Sequence, residues 1–197
     1  ILGRCATVDE VKAEIARVHI HGFDPRSSTV HWRFAEPSGR QIVLEIIDGK
    51  CVFYENTLGV LTNSPSFDWQ LTNLNNYVNL LPGRTEPHTL GNMSLSSFGG
   101  GSAMIGLPGD FTPPSRFVRA AFFQNTAPQK PDAEGSVFTA FHILGSMEIP
   151  IGAQFPVDET PADIPSATQC TCVTDMSGLK FYYRSMYDGG IRCIDLK

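Results

Sequence analysis

Leu61-Thr62-Asn63-Ser64-Pro65-Ser66-Phe67-Asp68-Trp69-Gln70-Leu71-Thr72-Asn73-Leu74 decides how this chain is read. The apolar stretch Leu58 to Thr62 reads as a short strand that ends at Asn63. Pro65 to Leu74 reads as a helix, because Pro65 suits a first turn and Phe67, Leu71 and Leu74 share one apolar face. Asn63 therefore stands between a strand end and a helix start. An amide in that position can donate a hydrogen bond to an oxyanion, with helix N–H groups adding positive potential nearby. It can equally satisfy a turn or cap the helix. Residue type alone favours the cap, since Asn is among the commonest N-cap residues.

A second segment has the same character: Gly106-Leu107-Pro108-Gly109-Asp110-Phe111-Thr112-Pro113-Pro114-Ser115-Arg116-Phe117. It leads into a helix predicted over 113–123, with Phe117–Ala121 and Val118–Phe122 as i, i+4 pairs. Arg116 falls in the first turn of that helix. A cation there opposes the helix dipole by roughly 0.3–1 kcal/mol, so the helix gains nothing electrostatically from it. An arginine needed to neutralise a thiolate or carboxylate explains the placement; so does an exposed arginine that tolerates a small penalty.

Outward from these segments, Thr7 and Glu10 have capping-box spacing, and Val11, Ile15 and Val18 repeat as one helical face. Strands are expected over 29–34, 41–47 and 51–54, separated by the turn signals Pro37-Ser38-Gly39 and Asp48-Gly49-Lys50. Residues 82–113 are rich in Gly, Pro and Ser and read as long functional loops between packed flanks. A further helix is expected over 136–144, with Val137, Phe141 and Leu144 inward and His142 at the core edge. Strands return over 168–173, 179–184 and 190–194, with turns at Met176-Ser177-Gly178 and Asp188-Gly189-Gly190. Strands, then helices, then strands suit antiparallel sheets with helices on their outer faces.

Composition narrows the function classes. The chain has 197 residues, 42% hydrophobic and 18% charged, which fits one folded domain over 1–197 rather than disorder. Net charge is −5 with no basic cluster among aromatics, which argues against nucleic acid as a partner. No apolar run approaches the ~20 residues of a membrane span, so no membrane partner is expected. The start, Ile1-Leu2-Gly3-Arg4-Cys5, is not read as a signal peptide, and the compartment stays open. Of five cysteines, Cys170 and Cys172 lie two apart on a predicted strand and point to one face. Neither they nor the five histidines have the spacing of a structural zinc site. Gly99-Gly100-Gly101-Ser102 lacks the lysine of a phosphate-binding loop and reads as a flexible loop.

The two opening segments together resemble the choloylglycine hydrolase family, the N-terminal-nucleophile amidases that include penicillin V acylases and conjugated bile acid hydrolases. Residues 62–71 match a T-N-x-P-x-[FY]-x-[WY]-Q-L pattern. Leu107-Pro108-Gly109-Asp110 followed by Ser115-Arg116-Phe117-Val118-Arg119 match L-P-G-D…S-R-F-x-R. His31-Trp32 and Ile191-Arg192 are weaker echoes. The order and separation agree with the last three-fifths of a family member.

The resemblance implies an α+β fold, the N-terminal-nucleophile (Ntn) hydrolase αββα sandwich of antiparallel sheets flanked by helices, here incomplete at its N-terminus. It implies hydrolysis of a non-peptide linear C–N bond, of the penicillin V type or in a bile acid conjugate, with no metal or organic cofactor. In such enzymes an N-terminal cysteine thiol attacks the amide carbonyl and its own α-amine acts as base. The resemblance gives Asn63 the role of oxyanion-hole donor and sets Arg116 against the nucleophile. Phe23 and its loop are expected to line the substrate pocket. The nucleophile itself is expected from a preceding segment, so this fragment alone should be inactive and should need that segment as its partner. Cys5 is a poor substitute, standing two residues before a helix cap rather than at a strand start. A homo-oligomer, by resemblance a tetramer, is also implied. The other reading is a catalytically silent sandwich module used for binding or assembly.

Overall fold

The computed structural model describes residues 1, 3–22, 24, 30–130 and 132–197. They fall into two units, Ile1–Phe122 and Phe123–Lys197.

The first unit begins with helix α1 (Val8–Ile15). Thr7 caps it: the Glu10 amide donates to Thr7 Oγ1 at 3.2 Å and the Thr7 amide donates to Glu10 Oε2 at 3.2 Å. This reciprocal pair satisfies two amides that a helix start leaves unpaired. Val8, Val11 and Ile15 are buried, but the helix stops before Val18, which is exposed rather than on the expected face. Strands β1 (Trp32–Ala35), β2 (Gln41–Ile47) and β3 (Lys50–Glu55) form an antiparallel sheet in that order. Ile47 pairs with Lys50, so Asp48 and Gly49 alone make the second turn, at φ values of 49° and 73°. Both positive angles are what a two-residue hairpin matching the strand twist demands.

The central strand is buried on both faces. Ile42 and Leu44 pack with Val8, Val11 and Ile15, while Val43 packs with Val60, Phe67, Phe117 and Ala121. Strand alternation assigns the two sets to opposite faces. Glu45, two residues after Val43, shares the second face and is 2% exposed.

Residues 58–62 are not the expected strand. Val60 is buried, but its segment has no neighbouring strand among the described residues. Side chains take its backbone groups instead: Asn56 Nδ2 donates to the Val60 carbonyl at 3.0 Å, Asn56 Oδ1 accepts from the Gly59 amide at 2.8 Å, and Arg33 donates to the Gly59 carbonyl at 3.1 Å. Helix α2 (Phe67–Asn73) starts two residues after Pro65 and continues as a 3-10 turn, Leu74–Tyr77. Its inward residues are Phe67, Gln70 and, partly, Leu74; Leu71 is exposed, contrary to the expected face. The stretch expected to be loops holds a short hairpin, β4 (His88–Leu90) with β5 (Met93–Leu95), and a 3-10 turn at Ser102–Met104. Helix α3 (Pro113–Thr126) follows, burying Phe117, Val118, Arg119 and Ala121.

The second unit carries helix α4 (Ala133–Gly145), capped by Asp132, whose carboxylate accepts from the Gly135 amide at 2.6 Å. Val137 and Phe141 are buried as expected, whereas His142 is exposed rather than at the core edge. Strands β6 (Cys170–Asp175), β7 (Lys180–Ser185) and β8 (Asp188–Asp195) form an antiparallel sheet in that order, with α4 against β6. Ser185 pairs with Asp188, so the reversal falls on Met186 and Tyr187 and the expected turn residues open β8 instead. No helix among the described residues is long and apolar enough to cross a membrane.

Candidate active site

The loop before α2 and the loop before α3 meet through Asn63 and Arg116, 53 residues apart in sequence. Arg116 Nη2 donates to Asn63 Oδ1 at 2.8 Å. A guanidinium only donates, so the atom facing it is the amide oxygen, and the Nδ2 hydrogens turn elsewhere. No described residue accepts from Nδ2. The side chain thus presents an oriented donor at an exposed position.

Both residues are held from behind. Gln70 Nε2 on α2 donates to the Asn63 carbonyl at 3.3 Å. Thr62 Oγ1 donates to the Pro113 carbonyl at 3.1 Å, tying one loop to the start of the other helix. Arg116 Nε donates to the Phe111 carbonyl at 2.9 Å, so its fork spans both loops. Arg119, 5% exposed, donates through Nη1 to the carbonyls of Pro108 at 2.7 Å and Asp110 at 2.6 Å. Its Nε and Nη2 have no partner among the described residues.

Asp110 organises the same turn. Its Oδ1 accepts from the Thr112 amide at 2.9 Å and the Thr112 hydroxyl at 2.6 Å, and its Oδ2 accepts from Ser115 Oγ at 2.6 Å. These donors, Ser115 first and then Thr112, hold the carboxyl at about 2, below its ordinary 3.8. Hydrogen bonds to the charged form produce that shift.

Arg116 has no carboxylate partner among the described residues. Burial, and after it the like charge of Arg119, push its pKa down from the ordinary value. An unneutralised, half-buried guanidinium at a helix start makes a local positive field of the kind that lowers a thiol pKa.

The sequence reading named Asn63 and Arg116, and the structure brings their side chains into contact. Phe23 lies outside the described residues. Cys5 packs against the cluster under α1, on the other face of β2 from the α2–α3 cluster. Cys170 and Cys172 share a face, with sulfurs 4.0 Å apart. Among the described residues no three His, Cys, Asp or Glu side chains are grouped to hold a metal. Two residues were missed. Arg119 is the second arginine of the S-R-F-x-R segment, and Glu45 is the one charge inside Ile42-Val43-Leu44-Glu45-Ile46-Ile47. A lone carboxylate in an apolar strand is the signal that marks the latter.

The chain matches the linear amide C–N hydrolases of the choloylglycine hydrolase family over residues 1–197, and it belongs to that family. It is 35% identical to the bile salt hydrolase/transferase of Clostridium perfringens (strain 13 / Type A), with 100% of this chain and 60% of that protein covered. A crystal structure of a mutant conjugated bile acid hydrolase from Clostridium perfringens superposes with a TM-score of 0.83 at 33% identity, covering 100% of this chain and 60% of that one. Penicillin V acylase from Agrobacterium tumefaciens gives a TM-score of 0.68 at 25% identity, covering 98% and 52%. The fold is therefore the α+β fold of the Ntn hydrolases. The chain spans about three-fifths of the length of the curated relatives it matches.

Proposed function

We propose that these 197 residues are part of an amidase that hydrolyses a linear, non-peptide C–N bond, in a bile acid conjugate or in a penicillin V-type side chain. Asn63 Nδ2 donates to the oxyanion of the tetrahedral intermediate. Arg116 holds the amide in that orientation and favours the thiolate of a cysteine nucleophile contributed by sequence outside the matched three-fifths. The α-amine of that cysteine serves as base. The two units belong to one Ntn-hydrolase domain in this reading, which the family match across both of them supports.

One observation carries the proposal: the 2.8 Å bond from Arg116 to Asn63 Oδ1, which joins the two motifs and leaves Nδ2 as a free donor. The local geometry is what an oxyanion donor requires, a fixed dipole that need not reorganise as charge develops. The relatives named for bile salts and the one named for penicillin V support the substrate class.

The test uses the full-length protein with a glycine-conjugated bile acid and with penicillin V, following release of the amine. Turnover of either is expected. Turnover of neither points to a catalytically silent module. In the active protein Asn63→Ala lowers kcat about a hundredfold, the loss typical for one oxyanion donor.

A further inference from the structure

Glu45 lies on β2 and bonds to neither Asn63 nor Arg116, yet it is buried as deeply as the core apolar residues around it. Its Oε1 accepts from the Phe67 amide at 2.8 Å and lies 3.1 Å from His31 Nδ1, which is itself only 10% exposed. Phe67 is the first residue of α2, so its amide is one that the helix cannot satisfy internally. Ser66, the residue placed to cap it, makes no side-chain cap bond and donates instead to Asp68 Oδ1 at 2.5 Å. Glu45 takes over that task from a neighbouring strand.

The consequence reaches Asn63 in two steps. A helix as short as α2 does not fix its own first turn, because nucleation is costly and few bonds follow. One turn along, Gln70 is 1% exposed and donates to the Asn63 carbonyl. Wherever the start of α2 goes, Gln70 and the Asn63 backbone go with it, while Arg116 holds the Asn63 side chain from α3.

We infer that Glu45, oriented by His31, is a positioning residue for the reaction: it anchors the start of α2 so that Asn63 Nδ2 sits where the oxyanion forms. This rests on the role given to Asn63 above. What the device needs is an acceptor oxygen at Oε1. A backbone amide donates to an amide oxygen as it does to a carboxylate, so a neutral acceptor can serve as well; burial also holds the Glu45 carboxyl above its ordinary pKa, opposed by His31 and by the Phe67 amide.

The experiment is a mutant cycle in the full-length active protein. Glu45→Leu removes the acceptor and suits the apolar strand, but it leaves the His31 imidazole and the Phe67 amide without their partner, so its folding is checked first. Its kcat falls about tenfold with KM within about twofold, because an oxyanion donor acts only in the transition state. Glu45→Gln stays within about threefold of wild type. In an Asn63→Ala background Glu45→Leu costs less than about twofold, because the donor it positions is gone. If Glu45→Leu does not fold, the pair Glu45→Leu with His31→Phe leaves no unpaired imidazole and carries the same expectations. Wild-type kcat in the leucine variant overturns the inference. So does an equal loss in both backgrounds, which marks a structural effect alone. Full activity of Asn63→Ala itself is a different failure: it removes the functional reading, and this one with it.

Discussion

Two neighbouring stretches of this protein share a composition and have opposite fates. Residues 82–105 and 106–112 are both rich in glycine, proline and small polar residues. In the second, Arg119 takes the carbonyls of Pro108 and Asp110, Arg116 takes that of Phe111, and the Asp110 carboxylate gathers Thr112 and Ser115. In the first, a hairpin, backbone bonds such as Gly101 to the Gly83 carbonyl at 2.6 Å and the Thr85–Ser102 pair hold the chain, and Asn79 donates to the Ile105 carbonyl at 3.4 Å. Leu90, Met93, Phe98 and Ile105 stay exposed there, Phe98 fully so at 102%. Loop composition does not set how a loop is held. In the second stretch, side chains from a packed helix reach in to claim the backbone carbonyls.

The strongest way to break that comparison is Arg119→Ala. It removes a buried guanidinium and strands two carbonyls, so unfolding in urea should lose about 3 kcal/mol. A change near zero would mean that the loop holds itself. A weaker effect is expected from Asp110→Asn, read as thermal midpoint against pH. The folded Asp110 carboxyl is depressed to about 2 from an ordinary 3.8. Its stabilisation is therefore fully present above the ordinary value and is lost as pH falls through the folded one. The wild type should lose stability across that window, and the variant should show less of this acid loss. Identical acid limbs would contradict the assignment. The smallest effect belongs to Phe98→Ser, expected within about 0.5 kcal/mol of wild type because the ring packs on nothing described. A large drop in midpoint would show that this face is covered in the full-length protein.

Sequence and structure agree most where the relevant bonds are local. The capping box of α1 and the Asp48-Gly49 turn follow from residues within a few positions of each other. They diverge where a distant partner decides. Residues 58–62 have the apolar content of a strand, but Asn56 and Arg33 take their backbone groups and no strand among the described residues lies alongside. On α2 the leucine expected inward, Leu71, is exposed, while Gln70 is buried, its Nε2 donating to the Asn63 carbonyl and its Oε1 finding no partner among the described residues. The carbonyl that takes Nε2 lies outside the helix, so the helical pattern of the sequence does not reveal it.

The amino-acid sequence alone determined the family, through two motifs whose residue types and order are specific, and with it the expectation that an asparagine and an arginine work together. The tertiary structure decided how they meet. Only folding sets an amide oxygen 2.8 Å from a guanidinium 53 residues away, and only folding buries Glu45 against the first amide of α2. The physical reason is range: caps and turns are fixed by bonds spanning a few residues, whereas an oriented donor depends on contacts that exist only once the strands and helices have packed.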